Sequence, residues 1–152
     1  MKINYLNQTQ KKIPRKKLQT TVDTTHSFLR KQKLVGKDGD FRLLQRDEIT
    51  LVFATPAQSK KLNLMYRNKK KPTDVLSFSP SDEDSIGELL LCPTVIEAQA
   101  PRFKHTYNEE LIYMVIHGMI HLYGWDHERS LKEEKEMFAL QDRIFAVVKA
   151  SS

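Results

Sequence analysis

One cysteine, Cys92, is all the thiol chemistry in a chain of 152 residues. It cannot close a disulfide within the chain, and it cannot supply the paired thiolates of the common structural zinc sites. A reducing compartment is the expectation, with Cys92 a small buried residue beside Pro93. Long apolar runs are missing as well. No stretch approaches the roughly 18 residues that a spanning helix needs, and the opening MKINYLNQ lacks the apolar segment of a secretory signal. The expectation is a cytoplasmic protein with no membrane attachment. Repeats, low-complexity segments and linkers are absent too, so residues 1–152 read as a single domain.

Positive charge is in excess: 25 Lys and Arg against 19 Asp and Glu give +6 and a pI near 9.4. It clusters at Lys11, Lys12, Arg15, Lys16 and Lys17, at Lys60 and Lys61, and at Arg67 with Lys69, Lys70 and Lys71. Such runs suit a polyanion such as nucleic acid, and equally a solvated face that binds nothing. The aromatics do not interleave with them in sequence, so the charge suggests phosphate contact rather than base reading.

Residues 2–6 alternate as a strand, and Pro14 opens a helix with Leu18, Val22, Thr25 and Leu29 on one face. Its threonines are poor helix formers. GKDGD at 36–40 is a turn, and 48–54 a second strand. Thr55, Pro56 and Gln58 make a capped helix start, and that helix runs to Arg67. After a loop come strands at 74–78 and 86–92, separated by an acidic loop. Pro93 starts a short helix that Pro101 should stop. Thr106 with Glu109, and Ser130 with Glu133, form two more capping boxes. The first of these helices is apolar nearly all round and should be the buried one; the second buries Met137, Leu140, Ile144 and Val148. The pattern predicts a mixed α/β protein of the α+β type, with a small mixed sheet of about four strands packed against helices.

That buried helix and the turn after it hold the chemistry. His117, His121 and His127 stand in the stretch HGMIHLYGWDH, and only two other histidines, His26 and His105, occur in the chain. Two imidazoles four residues apart stack on one helix face. Gly124 can enter the left-handed region, end the helix and bring His127 round to them. Three neutral imidazoles on one point are a zinc site, and three protein ligands leave a fourth position for water. Nickel or copper could fill it in vitro. Hydrolysis by a metal-activated water is the activity to expect.

The same spacing is the metzincin protease frame, but those enzymes place Glu after the first histidine as general base. Here that residue is Gly118, which cannot take a proton. It serves instead a close approach, of a substrate backbone or of a packed strand. Asp126, beside His127, is either a carboxylate that orients a ligand ring or a turn former. Tyr123 and Trp125 read as packing residues. His26 and His105 lack ligand spacing.

HGMIHLYGWDH resembles the signature of the YbeY family, bacterial endoribonucleases of rRNA maturation. NLMYRNKKKPTDVLSFSP at 63–80 resembles a second family segment, and IGELLLC at 86–92 a third, with Glu88 where Asp is usual. EKEMFALQDRIF fits the family's last helix, so the likeness covers roughly residues 48–148. The departure inside the signature is Trp125, where Tyr is commoner. The resemblance implies an α/β fold, one zinc ion on His117, His121 and His127, and a functional arginine at Arg67. It implies a single-strand-specific endoribonuclease that matures the 3′ end of small-subunit rRNA and serves ribosome quality control, with RNA and the ribosome or its small subunit as partners.

The catalytic residues expected are then His117, through the metal, and Arg67. A guanidinium fork matches phosphate oxygens, and it offsets charge in the transition state. Lys60, Lys61, Lys69, Lys70 and Lys71 would guide the RNA backbone. The alternatives are a zinc peptidase, a hydrolase of small phosphoesters, and a ribosome-binding module that holds zinc only for stability. Sequence leaves open the general base, the choice of water or the RNA 2′-hydroxyl as nucleophile, and the oligomeric state.

Overall fold

Strand Ser85–Leu91 is buried at nearly every position, as expected of a central strand covered on both faces. The computed structural model, which describes residues 1–151, places it between two neighbours. In chain order the strands are β1 (Lys2–Asn7), β2 (Glu48–Phe53), β3 (Val75–Phe78) and β4 (Ser85–Leu91). They lie in the order β1-β2-β4-β3. The β1–β2 and β2–β4 pairs are parallel and β3–β4 is antiparallel. Parallel neighbours need long crossovers; α1 (Arg15–Gln32) lies within the first and α2 (Pro56–Arg67) within the second. The acidic loop joins β3 to β4 directly.

The remaining helices are α3 (Pro93–Gln99), α4 (Tyr107–Leu122) and α5 (Leu131–Ala150). Side chains alternate across a strand, and the two faces of the sheet feed two cores. Ile49, Leu51, Phe53, Leu89 and Leu91 join the main core with α1, α4 and α5. Val52, Ala54, Leu76 and Leu90 face the other way, against Leu62 of α2 and Phe78. The mixed α/β architecture and its four-stranded sheet are as the pattern predicts.

Helix α4 is the buried one. Leu111, Val115, Ile116, Met119 and Ile120 are fully covered. Gly118 is what lets it lie on the sheet: a Cβ there would stand 2.7 Å from Leu89 Cδ2. Of the two close approaches open to Gly118, the packed strand is the one found. The threonines of α1 are also accounted for, since Thr21 and Thr25 donate their hydroxyls to the carbonyls of Lys17 and Thr21 one turn back.

Two local expectations need correction. The Thr55–Gln58 and Thr106–Glu109 capping boxes are complete, but Ser130 makes only its own half. It accepts from Glu133 N, while the Glu133 carboxylate turns to Lys37 Nζ, 3.8 Å away. Pro101 ends α-helical geometry without stopping the coil, because the first turn of a tighter 3₁₀ helix needs no N–H there; Ala100–Phe103 continues in that form. A second 3₁₀ turn, Phe41–Gln45, follows the GKDGD loop and is capped by Asp40. No helix among the described residues is long and apolar enough to cross a membrane.

Candidate metal centre

The i, i+4 spacing on α4 brings the His117 and His121 rings to 5.2 Å between centroids. The helix ends at Tyr123, and Gly124 follows at φ +103°. Its N–H still reaches back to His121 O at 3.0 Å. The reversed chain then sets the His127 ring 5.0 Å from His117 and 5.2 Å from His121. One nitrogen from each ring lies within 4.8 Å of the others, and His121 Nε2 faces His127 Nδ1 at 3.2 Å. A tetrahedral ion with metal–nitrogen bonds near 2.0–2.1 Å keeps its ligand atoms about 3.3 Å apart. The donor set fits a divalent ion in chemistry and in spacing.

The turn that carries His127 is clamped from far away in sequence. Gly36 N–H donates to Tyr123 O (2.9 Å) and Asp38 N–H to Gly124 O (3.2 Å). Any Cβ on Gly124 would come within 2.1 Å of Gly39 N, so the 36–39 loop and the turn fit only as glycine against glycine. Asp38 also pairs with Arg129.

His117 is 8% exposed, and its Nδ1 meets Gln141 Oε1 at 2.9 Å. Gln141 is fully buried and spends its amide N–H on Tyr113 O (3.2 Å). Its oxygen must therefore accept, which puts a proton on His117 Nδ1 and leaves Nε2 as a lone pair. Burial holds the His117 pKa below the usual imidazole value. Burial, with the neighbouring His117 and His127 behind it, lowers that of His121 to about 4. Both rings are neutral at pH 7, the form that ligates a metal.

Asp126 does not hold a ring. Its carboxylate accepts from Glu128 N–H (2.9 Å) and from Arg129 Nε (3.1 Å), the work of a turn former. The orienting part falls to Gln141. The available signal was a polar residue on the otherwise apolar buried stripe of α5. Tyr123 is fully buried, as expected of a packing residue.

Arg67 is the last residue of α2, which Asn68 ends in the left-handed region. Its Nη2 donates to Glu128 Oε1 at 2.7 Å, and the same carboxylate oxygen is 3.8 Å from His127 Nε2. Glu128 was not anticipated, because nothing local marks it. Arg67 and the three histidines line one groove of about 960 Å³. Lys69 lines it too; Lys60, Lys61, Lys70 and Lys71 are exposed but stand outside its lining. Phe138 packs against His117 and His127, with centroids 6.0 and 5.9 Å away. Elsewhere in the groove, Gln99 Nε2 bridges Asp74 Oδ2 (3.1 Å) and Glu110 Oε2 (2.7 Å), and His105 Nδ1 meets Glu110 Oε1 at 2.8 Å. His105 is thus in the groove without being a ligand.

Comparison with known proteins sets this geometry among relatives. The family model described as endoribonuclease YbeY matches residues 4–149. An endoribonuclease YbeY of Bdellovibrio bacteriovorus is 39% identical over 148 residues, covering 97% of this chain and 95% of that protein. One from Petrotoga mobilis is 38% identical over 147 residues, covering 95% and 94%. A solution structure of a Thermotoga maritima protein aligns with a TM-score of 0.62 at 31% identity, over 99% of this chain and 91% of that one. The likeness therefore reaches into the N-terminal third, beyond the motif-bearing 48–148. That third supplies β1, α1 and the clamp loop, whose contribution is packing and leaves no short motif.

Proposed function

The chain belongs to the YbeY endoribonuclease family, and from that premise we propose that it is a zinc-dependent, single-strand-specific endoribonuclease. It acts in the cytoplasm on rRNA, at the 3′ end of the small-subunit species, in ribosome maturation and quality control. The observation that carries the reading is the convergence of three imidazoles and Arg67 on one groove. Zinc is the ion that an all-nitrogen tetrahedral set favours. When bound, it supplies Lewis acidity to a phosphoryl oxygen or a water.

The side chains do the rest. Gln141 fixes the His117 tautomer, so that Nε2 faces the site. Arg67 takes the scissile phosphate in its fork and offsets the charge that develops there. To do so it exchanges the Glu128 carboxylate for the phosphate. Lys69 lies along the groove and attracts the backbone, while Lys60, Lys61, Lys70 and Lys71 contribute field from outside it. Phe138 and the buried face of α4 restrict water around His117. The chain works as one domain, because the 36–39 loop holds the turn that carries His127. A peptidase reading is weaker: the base position is Gly118, closed off by Leu89.

Metal analysis paired with RNA cleavage tests this. Wild type should carry stoichiometric zinc and cut single-stranded RNA, with activity that weakens steeply as salt rises. Arg67→Ala should keep the metal and lose about 10²–10³ in kcat/KM, the scale for one charge-stabilising donor. Arg67→Ala that cleaves normally would overturn the role given to Arg67. Product ends separate the nucleophiles: a 2′,3′-cyclic phosphate marks the 2′-hydroxyl, and a 5′-phosphate with a 3′-hydroxyl marks water.

A further inference from the structure

The groove has two chemically different ends. Arg67, Lys69 and the three histidines form one. At the other, four rings make a continuous wall. Lys104 sits in the left-handed region (φ 57°), so the chain reverses between Phe103 and His105. Their rings stand 6.4 Å apart and are inclined by 34°. Behind them, His105 meets Tyr113 edge-on at 5.6 Å and Phe145 at 5.2 Å. His105 is pinned from below by buried Glu110, and Tyr113 donates its hydroxyl to Asp142 Oδ1 at 2.7 Å. The outer ring, Phe103, has 58% of its surface in water although it lines the groove.

Charge sets the direction in which a nucleotide lies. Glu110 and Asp142 are carboxylates beside the aromatic wall, and they repel a phosphate. Arg67 and Lys69 attract one. A strand whose phosphate sits at the cationic end therefore lays its uncharged, flat part toward the rings. Aromatic faces stack bases of any identity. A base inside a duplex has both faces already covered by its neighbours, so such a wall accepts only an unpaired one.

We propose that the wall headed by Phe103 and His105 is a nucleobase subsite, which stacks an unpaired base of the strand whose phosphate lies at Arg67. This rests on the endoribonuclease reading and gives a physical origin for single-strand specificity. It also amends the reading from charge: the aromatics do not interleave with the basic runs in sequence, but the fold puts Phe103 and His105 in one groove with Arg67 and Lys69.

The test uses the full-length, metal-loaded protein and a 2′-O-methyl single-stranded oligonucleotide carrying 2-aminopurine, beside a matched abasic strand. Binding is followed by anisotropy and stacking by quenching of 2-aminopurine. Phe103→Ala should weaken the base-bearing strand on the order of 5- to 100-fold, reduce the quench, and bind the abasic strand as wild type does. Phe103→Tyr should restore both signals. Phe41→Ala, an equally exposed ring (63%) outside the groove, should change nothing. Phe103→Ala that binds the base-bearing strand normally, or that loses both strands alike, overturns the subsite. Cleavage of unmodified RNA by wild type stands apart: if it persists while Phe103→Ala binds normally, only the subsite fails. If wild type neither binds nor cleaves RNA, the endoribonuclease reading fails and takes the subsite with it.

Discussion

The five histidines divide into two groups that burial does not separate. His117 is 8% exposed and His26 9%, yet one is a candidate ligand and the other a structural residue. The partner of each ring makes the difference. His26 Nδ1 meets the Tyr123 hydroxyl, and His105 Nδ1 meets the Glu110 carboxylate; each is held by a group that satisfies it. His117, His121 and His127 face one another. His117 spends one nitrogen on a neutral amide that forces the other to stay a lone pair. Imidazoles gathered round a common space, each offering a nitrogen to it, are complementary to a divalent cation. A buried histidine is thus read from what faces its second nitrogen.

Substitutions can break this contrast. The largest effect is expected from His121→Ala, which should abolish stoichiometric metal and with it cleavage, whereas His26→Leu should leave metal content unchanged. Metal loss on His26→Leu would erase the distinction. Gln141→Leu comes next. It removes the partner that fixes the His117 tautomer, and metal affinity measured by competition with a chelator should fall about 10- to 100-fold, as is usual for such supports. An unchanged affinity would mean that packing alone orients the ring.

His26→Leu has its own cost, about 1–3 kcal/mol of unfolding free energy, because the buried Tyr123 hydroxyl loses its partner. Denaturant titration measures it. Gly118→Ala should cost less, about 1 kcal/mol or somewhat more, since the atom met at 2.7 Å is the movable end of Leu89.

Acid sharpens the comparison in the metal-free protein. Burial lowers the pKa of His26, His117 and His121 in the folded state. The unfolded chain, with imidazoles near about 6.5, takes up protons first as the pH falls. Stability should therefore be full above that value and decline below it. For His121 the decline ends near its folded pKa of about 4. Bound metal should blunt the early part of the loss, because it holds two of these rings deprotonated. A flat profile from pH 7 to 4 would contradict the burial of these rings as neutral groups.

Legibility followed the range of the interaction. The helix starts at Thr55 and Thr106 were readable because a cap and its partner are three residues apart. The metal ligands were readable because one helix turn and one glycine reversal fix their geometry within eleven residues. Glu133 left its box half made because Lys37, from a distant loop, offered an opposite charge. Asp126 was ambiguous because the turn role and the ring-holding role look alike locally. Arg67 carried no local mark, and the resemblance was needed to single it out.

Sequence by itself determined the strands and α-helices, the caps at Thr55 and Thr106 and the donor set, since periodicity, capping and ligand spacing all act within a few turns of chain. Only tertiary structure decided that Gln141 holds His117, that Gly36 to Gly39 clamp the turn before His127, and that Arg67 and Phe103 share a groove. Those pairings join residues distant in sequence, and they exist only once the two faces of the sheet have been covered and the helices have no other way to lie.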